Sequence, residues 1–200
     1  MAATPTRRRL SKDARRAEIL RAGEQLFSQK PFDEVSIDDI ATAAQISKNL
    51  LYYYFAGKRE LFLAVIAEGA DRILAATEPD MGLEPMDRLH ASIDSHLRHA
   101  EEHAAGYVKL MRSGGVDEEV EAIVSAARQH AVDRALASLE LPGEPPAEVV
   151  LAVAGWVGMI DSLTVAWLES STIPRARVRE LLAELFVAVL TTAGSYAARP

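Results

Sequence analysis

The sequence has 200 residues, 49% of them apolar and 26% charged, with a net charge of -7 and no cysteine. Such a chain is long and apolar enough for one or two globular domains, which excludes wholesale disorder. The absence of cysteine excludes a disulfide scaffold, a thiolate metal site and a cysteine nucleophile. Charge is unevenly spread: residues 1–60 hold 11 Lys/Arg and 8 Asp/Glu, for +3, and the remainder holds 11 basic and 21 acidic residues, for -10. A small basic part facing nucleic acid, attached to an acidic body that points away, fits this asymmetry. Arg7, Arg8 and Arg9 are not followed by a long apolar core, so no signal peptide is read. No uninterrupted apolar run reaches the roughly 18 residues of a membrane span. A soluble, cytoplasmic protein with no membrane partner is the expectation.

Residues 1–11 read as a flexible basic arm, interrupted by Pro5 and Thr6. A first helix is expected over residues 12–29, with Ile19, Leu20, Gly23, Leu26 and Phe27 inward, and Pro31 forces its end. Phe32 and Val35 follow as core plugs. Residues 36–61, SIDDIATAAQISKNLLYYYFAGKREL, read as two short helices joined by a tight turn. Ser36 caps the first, which carries Asp38 and Asp39 in its first turn and an apolar face of Ile37, Ile40, Ala41 and Ala44. Gln45-Ile46 makes the corner and Ser47 caps the second helix, which turns Leu51 inward and Lys48, Asn49, Tyr52 and Tyr53 outward. Gly57 is expected to end it. A compact helix-turn-helix with such a surface suits the major groove of DNA.

A fourth helix over 58–76, without an internal linker, is read as a rigid lever between head and body. Helices over about 85–102, 105–112, 116–139, 146–170 and 174–196 follow, separated at Gly114-Gly115 and by loops rich in proline and glycine. The eighth is apolar on nearly every face and must be buried on several sides. The ninth also carries more apolar surface than one compact body needs. Pairing of these two helices with their copies in a second subunit is the economical solution, with Val153, Trp167, Leu182, Leu185, Phe186 and Val189 as dimerisation residues. The expected fold is all-α: a three-helix head over residues 12–57 and a six-helix body, helices 4–9, over residues 58–200.

Arg16, Ile19-Leu20, Ala22 and Leu26-Phe27, then PFDEVSIDDIATAA, ISKNLLYYYF and GKRELFLAVI, resemble the first four helices of the TetR/AcrR family of transcriptional regulators. The resemblance covers about residues 15–66 and is specific; beyond it only the helical architecture is similar. Two positions depart from the family pattern. Gln45 stands where the turn often has glycine, a substitution tolerated if its backbone is not left-handed, and Asn49 stands where a small residue is usual. The resemblance implies a homodimer that binds a near-palindromic operator, usually as a repressor, and a small-molecule inducer held in the body. Activation in place of repression stays open.

Individual roles follow. Arg8 and Arg9 in the arm are read as phosphate or minor-groove contacts, against a solvated tail. Ser36 is a cap that also reaches a phosphate. Lys48 is the first choice for a base edge, supported by Ser47 and Asn49, with Leu50 against a thymine methyl. The hydroxyls of Tyr52 and Tyr53 reach phosphates, while Tyr54 and Phe55 belong to core or edge. Lys58, poorly placed for a helix dipole, is read as a phosphate contact, which the family pattern supports. For the effector, His96, Tyr107, Met111, Arg128, Trp156, Ile160 and Asp161 are candidates. Asp161 interrupts an apolar helix and needs a partner: a ligand group, Arg128 or Arg112, or a residue across the dimer seam. A hydrophobic or amphipathic effector is expected, with no cofactor and no resident metal. His96, His99 and His103 share one helix face, and a metal there competes with a solvated or pocket-lining role. A helical enzyme and a structural dimer without DNA binding are the rival readings. The first lacks a nucleophile or a phosphate-cradling loop, and the second leaves Lys48, Tyr52, Tyr53 and Lys58 unexplained.

Overall fold

The computed structural model describes residues 11–112, 117–170 and 172–197. All regular structure among the described residues is helical: α1 (Lys12–Gln29), a 3-10 turn (Phe32–Glu34), α2 (Ile37–Ala43), α3 (Lys48–Tyr54), α4 (Lys58–Ala76), α5 (Pro85–Glu102), α6 (Ala104–Arg112), α7 (Glu118–Ser138), α8 (Ala147–Ser170) and α9 (Arg175–Ala197). The chain divides into two compact units, one ending at Val65 and one beginning at Ile66. The head therefore takes in the first two turns of α4, because Leu61 is fully buried there and Phe62 and Val65 pack on the same core.

The head is built on Ile19, Leu20, Phe27, Val35, Ile40 and Leu51. Ser11 caps α1 by accepting from the Ala14 amide at 3.1 Å. Gly23 lets α1 and α4 approach closely, since a Cβ there would lie 3.2 Å from a Val65 methyl. The rings of Phe27, Phe32 and Phe62 meet with centroids 5.0 to 6.0 Å apart. At α2 the Ser36 hydroxyl accepts from the Asp39 amide while the Asp39 carboxylate accepts from the Ser36 amide, a complete capping box.

The turn after α2 corrects an expectation. The Ile46 amide donates to Ala41 O at 2.9 Å and the Gln45 amide to Thr42 O at 3.0 Å, which is the paired closure of a Schellman motif. That closure requires a left-handed residue at its centre, and Gln45 supplies it with φ 53°. The condition under which glutamine was to be harmless is not met. The end of α3 differs too. The helix stops at Tyr54, three residues before Gly57, because Phe55 turns extended and buries its ring in the head core. Gly57 is not what ends it.

In the body, α8 packs against α9, α7, α6 and α5, and α9 also lies along α5. The core gathers Leu97, Val153, Trp156, Val157, Leu182 and Phe186. Trp156 donates its indole N–H to Leu182 O at 3.1 Å and sits 4.4 Å from the Phe186 ring. Averaged over 18 residues, α8 and α9 do reach the length and hydropathy of membrane spans, at 1.9 and 1.3, although no uninterrupted apolar run is that long. Core helices of a bundle have the same composition, and both helices contribute to the packed core.

Of the six dimerisation residues read from sequence, three are taken up inside the protomer and three stay half-exposed. Val153, Leu182 and Phe186 are buried in the core of their own protomer, where they fill the α8–α9 seam. Leu185 and Val189 pack partly on that core, and Trp167 donates its indole N–H to Ile173 O at 2.8 Å across the turn into α9. The large apolar side chains that α8 and α9 leave exposed include Leu151 at 75%, Leu181 at 45% and Val187 at 44%, with Val150 and Tyr196 exposed as well. Helical periodicity places apolar residues on faces but does not tell which face meets which neighbour.

Arginines tie the body's ends together. Arg88 is buried and donates to the carbonyls of Ser138 and Leu83. Arg134 on α7 holds the last turn of α4, bonding Leu74 O, the Thr77 hydroxyl and Glu78. Arg175 at the start of α9 bonds Asp94 and Glu101 of α5. Burial alone would raise the Asp94 carboxyl, but the bonds and charges of Arg98 and Arg175 hold it below the usual range.

Candidate functional site

The exposed surface of α3 starts at its cap. Ser47 accepts from the Leu50 amide at 3.2 Å, fixing the first turn, and Leu51 anchors the helix from beneath. Lys48, Asn49, Leu50, Tyr52 and Tyr53 are all exposed, the last at 68%. Tyr53 stacks edge-on against Tyr54, and the Lys12 ammonium lies 5.7 Å from its ring centre. Lys48 Nζ donates to Asp38 on α2 at 3.0 Å. That hydrogen bond, with the Asp38 charge, raises the Lys48 ammonium above the usual lysine range. Sequence reasoning gave Asp38 only a dipole role. Nothing in the helical spacing announces a contact across the turn.

Two other expected DNA contacts also have partners within the head. The Ser36 hydroxyl donates to the Asp39 carboxylate at 2.7 Å, so its one proton is spent in the capping box. This same pairing holds the Asp39 carboxyl below its usual range. Lys58 Nζ donates to Phe32 O at 2.8 Å and lies 4.2 Å from the Phe32 ring centre. The ammonium that sequence assigned to a phosphate thus pins the 3-10 turn. Arg8 and Arg9 lie outside the described residues.

In the body, four helices converge on one polar cluster. Asp161 of α8 accepts from the Tyr107 hydroxyl of α6 at 3.1 Å and from Arg128 Nε of α7 at 2.7 Å. Arg128 also approaches Met111 Sδ at 3.7 Å and Glu121 at 3.7 Å. The His96 ring of α5 lies 3.3 Å from the Tyr107 hydroxyl and 3.4 Å from that of Thr164. Burial pushes His96 down to about 4, against a weaker upward pull from Asp161. Burial and the Asp161 charge push the Tyr107 phenol well up. At neutral pH the cluster is therefore a neutral imidazole and a neutral phenol around an ion pair.

Five of the seven candidate effector residues meet here: His96, Tyr107, Met111, Arg128 and Asp161. Trp156 does not, being taken up by Phe186 and Leu182, and Ile160 packs on the apolar core. Of the partners proposed for Asp161, Arg128 is the one found, while Arg112 pairs with Glu169. Thr164 was missed; a buried hydroxyl three residues after Asp161 on an apolar helix was its signal. The His99 and His103 rings lie beside each other, centres 4.6 Å apart. Among the described residues no group of three acidic or imidazole side chains is placed to hold a metal ion.

Residues 19–65 match the family described as bacterial regulatory proteins, tetR family. Residues 85–189, more than half of the chain, match the tetracyclin repressor-like C-terminal domain. The chain belongs to the TetR family. A TetR-family transcriptional regulator from Streptomyces coelicolor is 32% identical and covers 94% of this chain and 85% of its own, with a TM-score of 0.84. A TetR-like regulator from Rhodococcus sp. RHA1 is 27% identical over 92% of this chain and 99% of its own, with a TM-score of 0.73. Among curated relatives, the transcriptional activator FasR of Mycolicibacterium smegmatis is 29% identical over 62% of this chain and 58% of its own. The transcriptional regulator UidR of Escherichia coli K12 is 32% identical over 54% and 56%. The chain thus spans less than two thirds of the curated relatives it matches. With a transcriptional activator among the relatives of this TetR-family protein, family membership leaves the sign of regulation open.

Proposed function

We propose that this regulator acts in the cytoplasm as a homodimeric repressor that grips near-palindromic operator DNA with α3 and lets go when a small hydrophobic or amphipathic effector binds its body. The observation that carries the reading is the exposed face of α3, where Lys48, Asn49, Tyr52 and Tyr53 stand on a helix capped by Ser47 and anchored by Leu51. Lys48 supplies base recognition, and the tyrosine hydroxyls supply phosphate contacts. Leu151, Leu181 and Val187 supply the self-association face. Dimerisation sets the two recognition helices about 34–36 Å apart, one turn of DNA.

The effector reading rests on the His96–Tyr107–Arg128–Asp161 cluster, since four helices meet there and a ligand that re-pairs Asp161 or Arg128 re-packs all of them. Such a ligand lowers operator affinity only through different affinities for the two conformations. Selection of genomic fragments by the purified protein at physiological salt tests the DNA reading: a recovered palindrome supports it, and no enrichment from folded protein sinks it. Activation is the second reading, favoured by the name of FasR. A reporter behind the recovered operator separates the two, with expression rising on deletion of a repressor and falling on deletion of an activator. Lys48→Ala is expected to reduce discrimination between operator and scrambled duplex at least tenfold, the scale of one base contact. An unchanged ratio removes its base-reading role.

A further inference from the structure

The helix-turn-helix holds an ion pair that its folding does not require. Asp38 and Asp39 are neighbours in the first turn of α2, yet they do different work. Asp39 closes the capping box with Ser36. The Asp38 carboxylate takes no part in that box and instead accepts from Lys48, ten residues on, at 3.0 Å. Both side chains are exposed, Asp38 at 70% and Lys48 at 48%. An exposed pair adds little to stability, and a carboxylate on a surface that meets DNA is repelled by phosphates. An anion placed beside the leading cation of α3 has another use.

We propose that Asp38 is a specificity-determining residue, whose carboxylate aims the Lys48 ammonium at base edges and penalises its diversion to phosphate. The proposal rests on the reading of α3 as the recognition helix. A lysine ammonium carries three N–H donors. One is held by Asp38, which leaves two, the number that guanine O6 and N7 accept in the major groove. A phosphate gains less from the same ammonium, because the pair is neutral as a unit and the Asp38 charge adds repulsion. Sequence-independent binding is built from phosphate contacts. The pair therefore weakens binding to the wrong DNA more than binding to the right one.

Asparagine keeps the shape of Asp38 and removes its charge. Wild type and Asp38→Asn, checked for equal thermal midpoints, are titrated with two duplexes across a range of salt. One duplex carries the palindrome selected from genomic fragments, and the other is a scrambled duplex of the same composition. The variant is expected to bind the scrambled duplex more tightly. Its operator-to-scrambled ratio should fall about fivefold, the low end of what one base contact discriminates. The salt slope on the scrambled duplex should steepen by about 0.9 for each new phosphate contact. In a Lys48→Ala background the same substitution should leave the operator-to-scrambled ratio unchanged, because Asp38 acts on specificity through Lys48 and its bare repulsion falls on both duplexes alike. If ratio and slope match the wild type while the wild type still selects its palindrome, the proposal is overturned and α3 remains the reader. A fall in the ratio that persists without Lys48 also overturns it, since Asp38 then acts on specificity by another route. A wild type that selects no sequence removes the recognition-helix reading and the proposal together.

Discussion

Two single residues carry energies large enough to measure. Gln45 holds φ 53° at the centre of the turn between α2 and α3, a conformation that costs a side chain about 1 kcal/mol and glycine little. Gln45→Gly is expected to stabilise the protein by about 0.5–1 kcal/mol, read as a higher thermal midpoint. A lower midpoint means that the contacts of the glutamine side chain outweigh the backbone strain. His96 supplies the second case. Its folded pKa, about 4, lies below the 6.5 of an exposed imidazole because burial disfavours the cation. A depressed histidine leaves the unfolded chain holding more protons, so its contribution is complete above pH 6.5 and is lost as pH falls from 6.5 toward 4. The loss is of order 3 kcal/mol at 1.36 kcal/mol per unit. Denaturant melts of wild type and His96→Gln across that window are expected to show a shallower pH slope in the variant. Parallel slopes would contradict the burial of a neutral imidazole.

At the scale of elements, the arginine that no periodicity foretold decides how α4 ends. Arg134 reaches from α7 to the Leu74 carbonyl, the Thr77 hydroxyl and Glu78. Carbonyls at a helix end lack intrahelical partners, and a guanidinium is a strong one. Arg134→Ala is expected to cost about 1–3 kcal/mol and to raise amide exchange in the last turn of α4 above that of α5; uniform exchange would assign the clamp no local role. The helices themselves were legible because their punctuation is local. Ser11, Pro31, Ser36, Ser47 and Pro85 all stand where sequence put a start or stop, and α1, α4 and α5 have the expected limits. The sites were legible only in part. Asp161 announced itself as a carboxylate on an apolar helix in need of a partner, and Arg128 was among those named for it, while its bond to Tyr107 was not. Lys58 and Ser36 instead found partners inside the head, and Asp38 found Lys48, through contacts between elements that no spacing within one element encodes.

For the whole molecule, the question is which surface meets a second copy. One chain already buries Val153, Leu182 and Phe186, so apolar residues on α8 and α9 that pack inward cannot also hold two chains together. What these helices leave outside includes Val150 and Leu151 on α8, the latter three quarters exposed, and Leu181, Val187 and Tyr196 on α9. Large aliphatic side chains in water are a cost that association relieves, by about 25 cal/mol for each Å² covered. In a two-fold dimer the same patch appears on both sides of the interface, so one substitution acts twice. If the proposed dimer uses this surface, Leu151→Glu places two like charges at or near the seam and is expected to convert that dimer to monomer in sedimentation equilibrium. Operator affinity should fall more than tenfold, because separate heads lose the fixed spacing that lets both half-sites be held at once. Affinity for a single half-site should not change, since the charge lies on α8 and the reading surface on α3. A dimer that survives Leu151→Glu would move the interface off this patch, and a loss of half-site binding would mean that the substitution had disturbed the fold rather than the assembly.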